Sequence, residues 1–189
     1  MLAYDFSLKC FDVLKNFTSN YMADFNKKDL YIKNVELPVE LRQSLDEELD
    51  SYGLSGALNL LAFKRKNFTI PRIETVHIDF DSSIIHSSIV IPIENCNETY
   101  MFWMDGSYKT YTKFLPKGTP YQALQWLSVP KLIEKIEITT PMLCRVDIPH
   151  DAVSHINGLY RTILSIRIKG NPKFEDVMNC RYGHLNEKF

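Results

Sequence analysis

The sequence lacks the marks of several large function classes. Its four cysteines, Cys10, Cys96, Cys144 and Cys180, are scattered with no Cys-X-X-Cys pair. A zinc site or a dithiol redox site built from them would lack its usual spacing, and in a reducing compartment they read as free thiols. No apolar run approaches the roughly 20 residues a membrane helix needs; Ile89 to Ile93 is among the longest. Neither sign of charge dominates. Lys and Arg number 22 against 23 Asp and Glu, a net charge of -1, so no global field draws the chain to nucleic acid or a membrane surface. There is no Gly-X-Ser-X-Gly elbow for a serine hydrolase, no internal repeat and no low-complexity segment. The start, Met1-Leu-Ala-Tyr-Asp-Phe, places an acid where a secretory signal would be basic and then apolar. A cytosolic protein is expected, in which the Asn-X-Thr triplets at Asn16, Asn67 and Asn97 have no meaning for glycosylation.

What is present suffices for one real core: 189 residues, 45% of them hydrophobic. A single domain is expected, with residues 1–70 as a mainly helical support, 71–170 as the core and 171–189 as a polar surface tail. From Asp5 to Phe17 the residues Phe6, Cys10, Val13, Leu14 and Phe17 fall three or four apart, a helical stripe. Pro38 opens a second helix that keeps Leu41, Leu45 and Leu49 on one face, with Gly53 to stop it. Its acids read as a solvated face.

After Gly56 the texture changes to short segments rich in β-branched and aromatic residues: Ala57–Phe63, Thr75–Phe80, Ser87–Ile93, Thr99–Met104, Met142–Ile148 and Tyr160–Ile168. Such strands without regular intervening helices favour a jelly roll or another β-sandwich over a parallel α/β sheet. Tyr121-Gln-Ala-Leu-Gln-Trp-Leu reads as a short inserted helix. The surrounding Asp105–Pro130 has the least strand character in the core and is a candidate lid, with Tyr108, Tyr111 or Trp126 touching a substrate. The alternation of lysine and aromatic residues from Ser107 to Lys117 reads as a solvated hairpin rather than a single-stranded nucleic-acid face.

The chemistry gathers on few residues. His77-Ile78-Asp79 lies inside a predicted strand, where residues two apart share a face. A histidine and a carboxylate so placed can take two adjacent positions on one metal. His150, after Ile148-Pro149, is the candidate third ligand, because the proline fixes an extended approach. Two imidazoles and a carboxylate on one face of an octahedron leave open positions, as in non-haem Fe(II) oxygenases. Alone, His-X-Asp is common and weak. Downstream, however, His150 is followed after ten intervening residues by Arg161, in Arg161-Thr-Ile-Leu-Ser165-Ile-Arg167.

His77-X-Asp79, a long gap, His150, ten residues and Arg161 together resemble the pattern of the Fe(II)/2-oxoglutarate-dependent oxygenase superfamily over residues 75 to 168. The resemblance implies a mainly β chain with N-terminal helices, folded as a double-stranded β-helix or jelly roll. It implies Fe(II) held by His77, Asp79 and His150, with 2-oxoglutarate and O2 consumed as a substrate C–H bond is oxidised. It places the distal carboxylate of 2-oxoglutarate on Arg161. Ser165 is a further donor candidate, although the family more often has that serine where this chain has Ile163. Independently, strand alternation puts Arg161, Ile163, Ser165 and Arg167 on one face, and an arginine facing a barrel interior is costly without an anionic partner.

A rival register pairs His155 with Arg167, twelve positions on. His86 and His184 read as bystanders, and Thr99 as a candidate pocket residue. A conventional cupin is disfavoured by the lack of a His-X-His pair with a nearby glutamate. Two alternatives stay open: a catalytically silent jelly-roll binding or structural module, and a nucleic-acid oxygenase. The primary substrate, whether small molecule, peptide or nucleotide, is not named by these residues; no membrane partner is expected and a nucleic-acid partner is disfavoured.

Overall fold

The computed structural model describes residues 1–23, 30–66, 72–81, 83–115, 118–154 and 159–179. Two antiparallel sheets face each other. The first holds six strands in the order β1 (Ala3–Asp5), β11 (Met142–Arg145), β6 (Ser87–Glu94), β13 (Tyr160–Ile168), β3 (Ala57–Lys66) and β2 (Leu30–Asn34). The second runs β10 (Lys131–Glu137), β7 (Thr99–Asp105), β12 (His150–Ser154), β4 (His77–Asp81), β9 (Pro120–Trp126) and β8 (Tyr108–Phe114), with β5 (Ser83–Ile84) paired to β4. From β11 through β12 to β13, and from β6 to β7, the chain steps from one sheet to the other. That winding is the jelly-roll, double-stranded β-helix topology expected from the sequence.

The outer face of the first sheet carries the main core. Leu164, Ile166 and Ile168 of β13 pack there with Ile89, Ile91 and Leu60, under helices α1 (Phe11–Met22) and α2 (Val39–Asp50). Leu14, Met22, Leu45 and Leu49 from those helices are fully buried. The opposite face of β13 looks into the space between the sheets, so one strand serves both core and cavity.

Three expectations need correction. The helical stripe begins later than Asp5: residues 3 to 5 pair with β11, Phe6 N–H donates to Pro141 O, and α1 starts only at Phe11, which leaves Val13 exposed. The first seventy residues combine helices α1 and α2 with β1, β2 and β3, which supply half of the first sheet. Tyr121–Trp126 is strand β9, not a helix. Pairing with β8 and β4, and the packing of Leu124 and Trp126 with Ile78 and Tyr108, override local propensity there. The tail is not all surface, for residues 174–179 are helical and bury Phe174, Val177 and Met178 in the main core. Among the described residues no helix is long and apolar enough to cross a membrane.

Asp46 ties α2 to the sheet. Its carboxylate accepts the Ala57 N–H at 2.8 Å and Arg42 Nε at 2.9 Å. Gly56, at φ +89°, is required beside it, because a Cβ there would sit 2.8 Å from Asp46 Oδ1. Burial pushes the Asp46 carboxyl up, but the Ala57 amide and Arg42 outweigh it and hold it below the ordinary 3.8. A depressed folded-state value means stabilisation that is complete above the unfolded value and lost as the proton returns below it. Asp46→Asn is therefore expected to lower stability by about 1–3 kcal/mol at neutral pH, the range for a hydrogen bond to a charged group. In urea titrations the gap between variant and wild type should close below pH 3.8; a pH-independent gap would contradict this role.

Candidate metal centre

β4 and β12 are neighbours in the second sheet, and His77 and His150 are register partners across them. Their ring centroids lie 4.7 Å apart at an interplanar angle of 47°. Two positions along β4, on the same face, Asp79 places Oδ1 3.6 Å from Nε2 of each ring. One donor atom from each of the three residues falls within 4.8 Å of the others. Donors in adjacent positions on an octahedral first-row ion stand about 3 Å apart at bonds near 2.1 Å, so Asp79 needs to move only some tenths of an ångström toward each ring, while the two ring nitrogens must also draw together for all three to close on one ion.

The other ring nitrogens fix the tautomer. His77 Nδ1 lies 2.9 Å from Thr75 O, and His150 Nδ1 lies 2.9 Å from Ile148 O. A carbonyl oxygen only accepts, so in the neutral ring each Nδ1 carries the proton and each Nε2 lone pair faces Asp79. Burial, and then the nearby His150, hold His77 below its usual range, which keeps it neutral. Burial also lowers His150, but the facing Asp79 carboxylate outweighs it and raises the net value. Burial alone would raise Asp79; the two imidazoles and Arg167 bring it down to about 2. A neutral imidazole and an ionised carboxylate are the forms a divalent cation needs.

The trio opens onto a cavity of about 370 Å³ between the sheets, a size suited to a small ligand. Arg161, Ile163, Ser165 and Arg167 all line it, as strand alternation predicts, and so does Thr99. Arg161 is 93% buried, its surface exposure being 7%, and its guanidinium has neither a hydrogen bond nor an ion pair among the described residues. Burial and then the adjacent Arg65 lower its guanidinium to about 10, against an opposing pull from Asp151, so it remains a cation at neutral pH. Thr99 Oγ1 is likewise buried without a partner. Ser165 differs: Ser88 Oγ donates to Ile166 O at 3.0 Å, so the 2.6 Å contact between the two hydroxyls uses the Ser165 proton. Its hydroxyl has no proton left for a further acceptor.

Residues that sequence reasoning missed complete the surroundings. Arg65 donates twice to Asp151, at 2.6 and 3.3 Å, and Thr75 Oγ1 donates to the same carboxylate. These contacts brace the strand residue after His150 and the residue whose carbonyl holds His77. The β8–β9 hairpin supplies Leu115, Thr119, Pro120 and Tyr121 to the cavity wall, with Tyr121 edge-on to His77 at 6.0 Å. Tyr108, Tyr111 and Trp126 are not part of that wall. Tyr108 packs edge-on against Trp126 at 5.5 Å and Tyr111 is exposed. The hairpin thus forms one wall with residues other than those singled out. Lys109 and Lys113 lie on the exposed strand β8, where a solvated hairpin was expected. His86 contacts Asp147 at 3.1 Å. His155, His184, Lys117 and Cys180 lie outside the described residues, while Cys10, Cys96 and Cys144 are buried free thiols.

No protein-family model matches the chain, and no curated protein matches it. Among solved structures 16 chains match. One is the X-ray structure of E. coli ycfD, at a TM-score of 0.37 and 10% identity, covering 79% of this chain and 35% of that one. The chain therefore spans about a third of the length of that protein.

If the three residues share one ion, each should be indispensable to it. His77→Ala, Asp79→Asn and His150→Ala are each expected to weaken Mn(II) or Fe(II) binding at least 10–100-fold, on the order of losing a ligand or its support. Titration calorimetry, with thermal melting as the check on folding, reads this. A folded His150→Ala protein that binds metal like wild type would remove His150 from the site.

Proposed function

We propose that the protein is a non-haem Fe(II) and 2-oxoglutarate-dependent oxygenase that oxidises a C–H bond of a primary substrate, in most such reactions by hydroxylation. The observation that carries this reading is the pairing, in one cavity, of a two-histidine, one-carboxylate cluster with an unpartnered buried guanidinium. A buried cation without an anion is unfavourable by several kcal/mol, so Arg161 is a site for a carboxylate that arrives from outside. A dicarboxylate bound at one end to the metal and at the other to Arg161 would satisfy both. Thr99, in the same cavity wall, has a hydroxyl without a hydrogen-bond partner.

Iron held here would supply O2 activation coupled to the decarboxylation of 2-oxoglutarate to succinate and carbon dioxide. What the chain's own residues do is more limited and more specific. His77, Asp79 and His150 hold the ion on one side and leave its other positions open. Arg161, as a planar fork, sets the direction in which the co-substrate reaches that ion. Asp151, held by Arg65 and Thr75, keeps the fork's neighbour Arg65 neutralised, so that Arg161 remains available to an incoming anion. Apolar neighbours such as Ile163, Val90 and Met101 exclude water between the two ends. Cofactor demand is thus Fe(II), 2-oxoglutarate and O2.

Arg161→Ala is expected to raise the Kd for 2-oxoglutarate by roughly 10–100-fold, as for a lost charge-assisted hydrogen bond, with Mn(II) affinity unchanged. Arg161→Lys should recover part of that loss, since the charge returns without the fork. Succinate formation from 2-oxoglutarate under Fe(II) and air is the activity readout. Should Arg167→Ala abolish 2-oxoglutarate binding while Arg161→Ala leaves it intact, the co-substrate belongs to the other arginine.

A further inference from the structure

β13 offers the cavity two buried guanidiniums on the same face, Arg161 and Arg167. An extended chain rises about 3.3 Å per residue, so their backbones stand roughly 20 Å apart, at opposite ends of the strand. The co-substrate reading uses only the first. Arg167 is 95% buried, with 5% of its surface exposed. Among the described residues its ion-pair partner is Asp81, at 3.4 Å from one terminal nitrogen, and the Asp81 side chain is 47% exposed. Its Nε is buried with no hydrogen-bond partner at all. Such a guanidinium has given up its water and gained little in return, because an exposed carboxylate is a screened and weak partner.

Charge balance sharpens the point. The cavity's inner wall holds the cations Arg65, Arg161 and Arg167 against the anions Asp79 and Asp151; Arg72 and Glu74 are exposed at the rim and opposite in sign. A divalent ion and a dicarboxylate cancel each other. One positive charge is then left over on the inner wall, answered only in part by the half-exposed Asp81 beside it, while Asp151 already answers Arg65 through two hydrogen bonds. With Arg161 given to the co-substrate, the leftover cation is Arg167, whose one ion pair among the described residues is to the half-exposed Asp81.

We propose that Arg167 receives an oxyanion of the primary substrate, a carboxylate or a phosphate, so that the substrate is a small anionic molecule anchored at the end of the cavity away from Arg161. This rests on the assignment of Arg161 to the co-substrate. Asp81 is the placeholder: it occupies a terminal nitrogen of the guanidinium in the free protein and yields that position to the substrate's anion.

The test uses Zn(II)-loaded protein, 15N-labelled so that the arginine Nε–H resonances report, saturated with 2-oxoglutarate. Inorganic phosphate and acetate are titrated separately. Binding is expected to shift the Arg167 resonance, and whichever anion binds tighter names the group that the substrate carries. Arg167→Gln should weaken that binding at least tenfold. Asp81→Asn, at an exposed position where folding is not at risk, should tighten it threefold or more by removing the competing carboxylate. Anion affinity unchanged in both variants overturns the proposal. If Arg167→Gln does not fold, Asp81→Asn decides alone, and absence of tightening overturns it. If 2-oxoglutarate fails to bind wild type, the co-substrate reading falls by itself. The same titrations in an Arg161→Gln background then decide whether Arg167 is an anion site.

Discussion

An extended strand can show only every second side chain to one side, and β13 is where this constraint governs the molecule. On one face Leu164, Ile166 and Ile168 are sealed under the helices; on the other, Arg161, Ile163, Ser165 and Arg167 line the cavity. No residue of β13 can be exchanged between these duties without shifting the register against β3 and β6, which would turn every side chain over. Because β13 is central in its sheet, that register is held from both sides. The helices therefore serve the site indirectly. By burying the outer face of β13 they commit its inner face to the cavity.

Charge is the second organising force. Guanidiniums between two apolar sheets are tolerable only when answered, and the three here are answered in different ways. Arg65 is matched inside the protein by Asp151. Arg167 is matched poorly, by a half-exposed Asp81, and Arg161 is not matched by any described residue. That gradation sets a structural ion pair apart from two guanidiniums whose charge the described residues leave largely unanswered.

The sequence made legible what depends on local period. His77 and Asp79 share a face because they are two apart in a strand, and the same rule placed Arg161, Ser165 and Arg167 together. Strand texture located six segments that are strands, and proline with spaced leucines located α2. What stayed hidden depends on partners distant in the chain. Arg65 and Asp151 are 86 residues apart, so neither advertises the other. β9 carries leucine, alanine and glutamine, a helical composition, and becomes a strand because β4 and β8 flank it. β1 and β2 are short edge segments whose only reason to extend is the sheet they join. Residues 174–179 look polar in sequence, yet three apolar side chains at one face suffice to dock them. The commitment of the Ser165 proton could not be read from residue types, since it turns on where Ser88 points its own.

Both imidazoles that face Asp79 are steered by main-chain oxygens, those of Thr75 and Ile148, each two residues upstream of its ring. A main-chain oxygen has no codon of its own. Where a carboxylate side chain orients a ligand, one base change can erase the support; here a point substitution at either position leaves the acceptor in place. Variation can therefore rework the cavity walls and the residues at 75 and 148 extensively while both rings keep their aim. A lineage carrying this fold could rework the cavity through many mutational steps before the two rings lost their orientation toward Asp79.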